Sequence, residues 1–375
     1  VAERRSLHIG VDGRELTGRP TGVGRYLSAI LDEWTRDASL PHRLTIFAAA
    51  PPPGGFVLGP RVAWHHVPAS AGGTWWEQHR LPEAVTATGV DVFFAAGYTA
   101  PLRLSIPFVV AIYDVSFFAH PEWFSWREGF RRRWLTRAAA RRAHVVVTIS
   151  EFSASEIARH LGVDRGRIRL ARPGPPANAD AEVRLRPAES DTGGRRRVSV
   201  LYVGSLFTRR RIPDLLRAFV HVRTRHPDAR LVLVGDNRTQ PPIDPRGLAR
   251  DLGIASAVDW HEYVDDATLA RLYADATVFV FLSEYEGFAL TPFEAIAHGA
   301  PPVLLDTPIA REVYGDAARL TTADPAAIAD AIAGLLEDDA ARRSLLAAGR
   351  QRLAALSWRD PAAAILAALE EAVAS

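Results

Sequence analysis

The chain has 375 residues, 48% of them apolar and 23% charged, with a formal net charge of +2. That length suits two domains with ample core, and the composition is that of a soluble globular protein. It contains no cysteine, which excludes disulfides, thiolate chemistry and cysteine metal sites, and no lysine, so all 45 basic side chains are arginines and lysine Schiff-base chemistry is excluded.

The longest apolar runs, such as 108–113 and 278–282, are strand-length and far short of the ~18 residues of a spanning helix. The first residues, Val1-Ala2-Glu3-Arg4-Arg5, lead into a strand pattern with no secretory leader, so a cytoplasmic location is expected. The near-balanced charge argues against a nucleic-acid partner.

Strands are expected over 7–11, 44–48, 62–67, 91–94, 108–113 and 145–149, with helices over 22–34, 126–143 and 152–161. The alternation predicts a parallel sheet with helices on both faces. Residues 173–197, rich in Pro, Ala, Gly, Asp and Arg, break the pattern and read as a linker. A second alternation follows, with strands over 198–203, 230–234, 258–261, 278–282 and 302–305. Its helices are expected over 213–225, 265–274, 291–298, 326–336 and 340–356, with a last one over 360–374. The expected organisation is an α/β domain over 1–176, a linker over 177–197, a second α/β domain over 198–357 and a C-terminal helix over 358–375. Ligands of open parallel sheets lie beyond the carboxyl ends of the strands, so the cleft between two such domains is the expected site.

In chain order, Gly18-Arg19-Pro20-Thr21-Gly22-Val23-Gly24-Arg25-Tyr26 follows the first strand and opens a helix. Its glycines permit a tight turn against an anion, or form a plain connection. Tyr113-Asp114 ends a strand, where Asp114 either accepts a ligand hydroxyl or caps the next turn. Within 126–142, Trp126, Phe130, Trp134 and Ala138 recur at helical spacing, while Arg131, Arg132, Arg133, Arg137, Arg141 and Arg142 fill much of the rest. The stripe is expected to pack into the core beneath a solvated basic face. The second reading is a helix that lies on an anionic membrane or meets an anionic acceptor. After the first strand of the second half, Arg209, Arg210 and Arg211 are either guanidinium ligands for phosphate or a solvated charge run. His65 and His66 are adjacent, which suits neither a helix face nor a strand face, and no metal site is expected.

The densest motif is Ser283-Glu284-Tyr285-Glu286-Gly287-Phe288-Ala289-Leu290-Thr291-Pro292-Phe293-Glu294. Gly287 lets backbone approach a ligand, Glu286 can accept hydrogen bonds from sugar hydroxyls, and Glu294 can accept two from a vicinal diol. Thr291 also suits an N-cap with Pro292 after it and Glu294 at the third helical position, so a capping box is the competing reading.

From Glu286 through Pro301 the chain resembles the Glu-x7-Glu signature of retaining glycosyltransferases of family 4. The resemblance extends over nearly the whole chain. It implies the GT-B fold: two Rossmann-like domains facing across a cleft, with a C-terminal helix crossing back to the first. It implies that Glu294 binds ribose, that Glu286 contacts the donor sugar, and that backbone of Gly287, Phe288, Ala289, Leu290 and Thr291 meets sugar and phosphate. By the same resemblance Gly22 and Gly24 lie over the donor phosphates and backbone near Tyr263 and Val264 lines the base pocket. The family's two diphosphate-binding basic residues fall on Ser205, beside Gly204, and on Arg210, with Arg209 or Arg211 able to serve. Tyr113 stands where many relatives have a sugar-contacting His, and Thr291 where the family usually has Leu. The activity implied is transfer of a hexose, first mannose from GDP-mannose, to a glycan, lipid-linked or small-molecule acceptor, without metal or other cofactor. A nucleotide-sugar-binding protein or an NDP-sugar epimerase remains open. A dinucleotide enzyme would need a third glycine where Leu27 stands.

Overall fold

The computed structural model describes residues 6–18, 21–54, 59–69, 73–176 and 198–374. The expected linker over 177–197 and the first five residues lie outside these. The chain divides into two compact units, Val1–Gly174 with Ser357–Ser375, and Pro175–Leu356.

The first unit holds seven parallel strands: β1 His8–Asp12, β2 Arg43–Ala48, β3 Val62–His66, β4 Val92–Ala95, β5 Phe108–Ala111, β6 Val145–Thr148 and β7 Ile168–Leu170, in the order β3-β2-β1-β4-β5-β6-β7. β1, β4, β5 and β6 are buried along their full length, as strands covered on both faces must be. The helix Gly22–Arg36 turns Tyr26, Leu27, Ile30, Leu31 and Trp34 inward. The helix Arg359–Ala374 belongs to this unit and buries Ile365, Ala368, Leu369 and Ala372. It is pinned by the Trp34 indole donating to the Ala362 carbonyl at 3.0 Å and by Arg169 on Glu371 at 2.8 Å. Full burial of Ile365 and Leu369 contributes roughly 1.5–3 kcal/mol each.

The second unit holds six parallel strands: β8 Ser199–Val203, β9 Arg230–Val234, β10 Val258–His261, β11 Val278–Phe281, β12 Pro302–Leu305 and β13 Arg319–Thr321, in the order β10-β9-β8-β11-β12-β13. The short strands β7 and β13 add one edge to each expected sheet. In both units the chain winds outward from its first strand, then returns to that strand's other side. The winding direction therefore reverses between β1 and β4, and between β8 and β11. Such a switch point leaves room for ligand beyond the strand ends. The loops that leave β8 and β11 carry Arg209 to Arg211 and Glu286.

Candidate active site

Glu286 lies on the loop after β11, with its side chain only 16% exposed. Its Oε1 accepts hydrogen bonds from Ser283 Oγ at 2.8 Å and from Arg210 Nε at 3.2 Å, and Arg209 Nε stands 3.7 Å away. Burial works to raise the Glu286 pKa, but the charges of Arg210 and Arg209 and the hydrogen bonds from Ser283 and Arg210 outweigh it and hold the carboxyl below its ordinary value. The group is an anion at neutral pH.

The loop after β8 supplies these cations. Arg210 Nη1 also donates to the Ser205 carbonyl at 2.9 Å, and its guanidinium lies 4.8 Å from the Phe281 ring centre. Gly204 makes room for it. Its φ is +139°, and a Cβ there would fall 2.4 Å from Arg210 Nη1. Ser205 offers its carbonyl to Arg210 and to the Tyr202 hydroxyl, and its side chain reaches Asp236. Arg211 is committed elsewhere, to Glu284 and Asp214. Arg209 differs from both: it lies 4.3 Å from the Phe207 ring centre, and its buried Nε has no hydrogen-bond partner.

Gly287 and Phe288 are buried, and the next residue, Ala289, has φ +65°, a left-handed backbone unusual for a side chain. The capping box is not formed. The helix Thr291–Ala297 starts from Leu290 as N-cap, in helical conformation and without a side-chain cap. Thr291 is therefore already inside the helix, because the Leu290 carbonyl accepts from the Glu294 amide at 3.1 Å. Glu294 instead accepts from the Tyr273 hydroxyl at 2.8 Å. Tyr263 is 84% exposed beyond β10, with Val264 half-buried beside it.

The remaining expected residues lie in the first unit. Tyr113 is buried, and its hydroxyl donates to the Ala96 carbonyl at 2.8 Å. Burial pushes that hydroxyl well above its ordinary pKa, so it stays protonated at neutral pH. Asp114 accepts from the Tyr98 hydroxyl at 2.7 Å and from the Ser116 amide at 2.9 Å, the turn-capping arrangement. The Gly24 amide is taken by Thr21 Oγ1 at 3.0 Å, and a Cβ on Gly24 would fall 2.2 Å from the Glu15 carbonyl oxygen, so this glycine serves close packing. Gly22 is exposed and open around its Cα. Among the described residues no group of three or more His, Asp or Glu is placed to hold a metal ion.

The aromatic stripe of helix Trp126–Arg142 does not pack into the core. Trp126 is 76% exposed and Phe130 and Trp134 are each 58% exposed, whereas Leu135, Thr136, Ala139 and Ala140 are buried. Small residues enter the core and the aromatic side faces out. No helix among the described residues is long and apolar enough to cross a membrane.

Two side chains with no local signal complete the second unit's site. Tyr273 holds Glu294, and Tyr314, twenty positions beyond the second carboxylate, donates to the Ala289 carbonyl.

Doubly wound sheets with a charged loop at the switch point define an α/β nucleotide-binding architecture. The family model for glycosyl transferases group 1 matches residues 193–352, and that for glycosyltransferase family 4 matches residues 20–178. The chain belongs to these family 4, group 1 glycosyltransferases. An MMP alpha-(1->4)-mannosyltransferase of Mycolicibacterium hassiacum is 30% identical over 260 residues, which cover 66% of this chain and 60% of that protein. The match thus spans less than two thirds of that relative's length. The O-antigen chain mannosyltransferase B of Escherichia coli is 29% identical over 293 residues, covering 72% of this chain and 71% of that one. Among solved structures, sucrose-phosphate synthase from Thermosynechococcus elongatus superposes with a TM-score of 0.73 at 20% identity, covering 97% of this chain and 98% of that one. Anabaena HepE in complex with UDP and glucose gives 0.72 at 18% identity, covering 96% and 98%. The fold is GT-B.

Proposed function

We propose that this protein is a retaining hexosyltransferase that moves a sugar, first mannose from GDP-mannose, from a nucleoside diphosphate to a hydroxyl of a glycan, lipid-linked or small-molecule acceptor. The observation that carries the reading is the ionised Glu286 beside Arg209, whose buried Nε makes no hydrogen bond, on loops that leave adjacent strands at a switch point. The names of the two mannosyltransferase relatives support the sugar.

The bond between the anomeric carbon and the diphosphate breaks, and its electron pair stays on the phosphate oxygen. The acceptor oxygen bonds to the same face of that carbon, and its proton passes to the leaving phosphate. Arg209 and the backbone amides of 287–290 neutralise the charge that grows on the diphosphate. Glu286 faces the positive charge that grows on the sugar, and Glu294 holds the ribose diol. Arg210 holds Glu286 in place and ionised. No metal is assigned a part. In the first unit, family likeness assigns the Gly22 turn to the donor phosphates, and Asp114, at its strand end, is the group proposed to accept a hydroxyl of donor or acceptor.

A peripheral membrane contact belongs to the same reading, and it rests on the exposed aromatic face of Trp126–Arg142. Tryptophans flanked by arginines suit the boundary of an anionic bilayer. Sedimentation with phosphatidylglycerol vesicles should carry the protein down, phosphatidylcholine vesicles should not, and Trp126→Ser with Trp134→Ser should abolish the effect. Equal sedimentation of the variant would remove the contact.

The donor assignment is tested by melting the protein with GDP-mannose, UDP-glucose and dTDP-glucose in turn. A ligand at one hundred times its Kd stabilises by about 2.7 kcal/mol. GDP-mannose should give the largest shift, and product GDP should appear only with acceptor. A protein stabilised by none of the three would not be a transferase of this kind, and one stabilised best by another base would need its donor reassigned.

A further inference from the structure

The turn between the two carboxylates does not hold its shape by itself. Ala289 sits at φ +65°, where a Cβ crowds the backbone and costs roughly 1–2 kcal/mol. No glycine relieves it. The residue that meets it from outside is Tyr314, at the end of helix Pro308–Val313. Tyr314 is 2% exposed, its ring packs 4.7 Å from the centre of the Phe293 ring, and its hydroxyl donates to the Ala289 carbonyl. With Glu286, Ala289, Pro292, Leu304, Leu305 and Ile309 it lines a small pocket.

A peptide unit is planar and trans, so its carbonyl and its amide point in opposite directions. The hydroxyl that draws the Ala289 carbonyl down into the pocket therefore turns the Leu290 amide away from it. Without that anchor, Ala289 would relax toward a right-handed or extended backbone, and the Leu290 amide would swing with it. The ring is wedged under the loop by Phe293, which follows Pro292 in the helix that carries Glu294, so one side chain ties the turn to both carboxylates' elements. Burial keeps the hydroxyl protonated and able to donate across the neutral range.

We propose that Tyr314 is a positioning residue for donor binding: by holding Ala289 in its left-handed conformation it aims the Leu290 amide at the diphosphate. The inference rests on the nucleotide-sugar reading of this loop. It assigns to one remote tyrosine the geometry that the Glu286–Glu294 spacing alone does not specify.

The test compares nucleoside diphosphate with the matching monophosphate, using whichever of GDP, UDP or dTDP stabilises the wild-type protein most. Tyr314→Phe keeps the ring and removes the hydroxyl. It should lower diphosphate affinity about tenfold, in line with one hydrogen bond to a charged group. Monophosphate affinity should change less than about twofold, since the base and ribose contacts are untouched. A merely structural role would weaken both ligands alike. Ala289→Val offers a second route, because a β-branched side chain is an outlier at positive φ while Tyr314 remains in place. It should reproduce the selective loss of diphosphate binding. Ala289→Gly in the Tyr314→Phe background should recover part of the affinity, because glycine adopts the left-handed backbone without the penalty. Unchanged diphosphate affinity in both Tyr314→Phe and Ala289→Val would overturn the proposal. If the wild-type protein binds none of the three diphosphates, the nucleotide-sugar reading itself fails, which is a different result.

Discussion

The strand-end loops of the two units solve the same problem in opposite ways. Each has a non-glycine residue in left-handed backbone, Tyr98 in the first and Ala289 in the second, and each is tied by a tyrosine hydroxyl. In the first unit the ties close on themselves: Tyr98 serves Asp114, Asp114 also takes the Ser116 amide, and Tyr113 serves the Ala96 carbonyl. In the second unit two guanidinium groups press on one carboxylate, and one of them keeps a buried Nε without a hydrogen bond. A buried unpaired donor costs about 1–3 kcal/mol, so it persists where something else returns the energy. The difference marks the loops that leave β8 and β11 as the place where a buried guanidinium donor is left without a hydrogen bond, and the segment around Tyr98, Tyr113 and Asp114 as one whose polar groups close on each other.

The sharpest break of that contrast is at Glu286. Glu286→Gln keeps the shape and the Ser283 contact but removes the charge. Turnover should fall on the order of 10²–10³-fold, the usual cost of losing one preorganised transition-state contact. Single-turnover assays at saturating donor would show it, and wild-type rates in the variant would leave Glu286 a structural anchor for Arg210.

The arginines should then separate. Arg210→Ala leaves Glu286 buried with a poorer partner and should cost about 3 kcal/mol, as breaking one side of a buried pair does. Arg209→Ala should cost clearly less, because it removes the more distant partner of Glu286 together with a donor that makes no hydrogen bond, while donor affinity falls by about 2 kcal/mol for a lost charge-assisted contact. Urea melts and donor titrations on both variants read the two effects, and equal destabilisation would end the distinction. The same pair sets an acid response. Glu286 is held below its ordinary value of 4.5, so the ionised form favours the fold. That contribution is fully present above 4.5 and disappears as pH drops through the lower folded value. Melting temperatures of the wild type should therefore fall more steeply with acid below that point than those of Glu286→Gln.

Much of this was legible in the residues. Runs such as Val145-Val146-Val147 and Val278-Phe279-Val280-Phe281 announce doubly covered parallel strands, and their alternation with helical periods announces the architecture. The three-residue edge strands Ile168–Leu170 and Arg319–Thr321 carry too few residues to show a period. The sequence pattern of a capping box was present at Thr291, but the left-handed turn at Ala289 brings the chain into the helix one residue early, so Leu290 takes the cap position. Period alone also misled at Trp126, Phe130 and Trp134. A stripe shows which residues share a face, and the face that carries the small residues Ala139 and Ala140 is the one that enters the core. Tyr314 and Tyr273 act across separations of 25 and 21 residues, where no local pattern exists.

The smallest effect is expected in the first unit. Tyr113 occupies a position that family likeness marks for sugar contact, yet its hydroxyl is spent on the Ala96 carbonyl inside the core. Its ring meets Tyr26 and Tyr98 edge-on at 5.4 Å each, so packing holds it from two sides. Tyr113→Phe keeps every ring contact and gives up one buried hydrogen bond, which should cost about 1 kcal/mol of stability. Turnover and donor KM should stay within about twofold of the wild type, because the change is electrostatically neutral and distant additive effects are small. A drop in turnover comparable to that of Glu286→Gln would mean that the hydroxyl leaves Ala96 during the reaction, and the segment around Tyr113 would no longer be closed on itself.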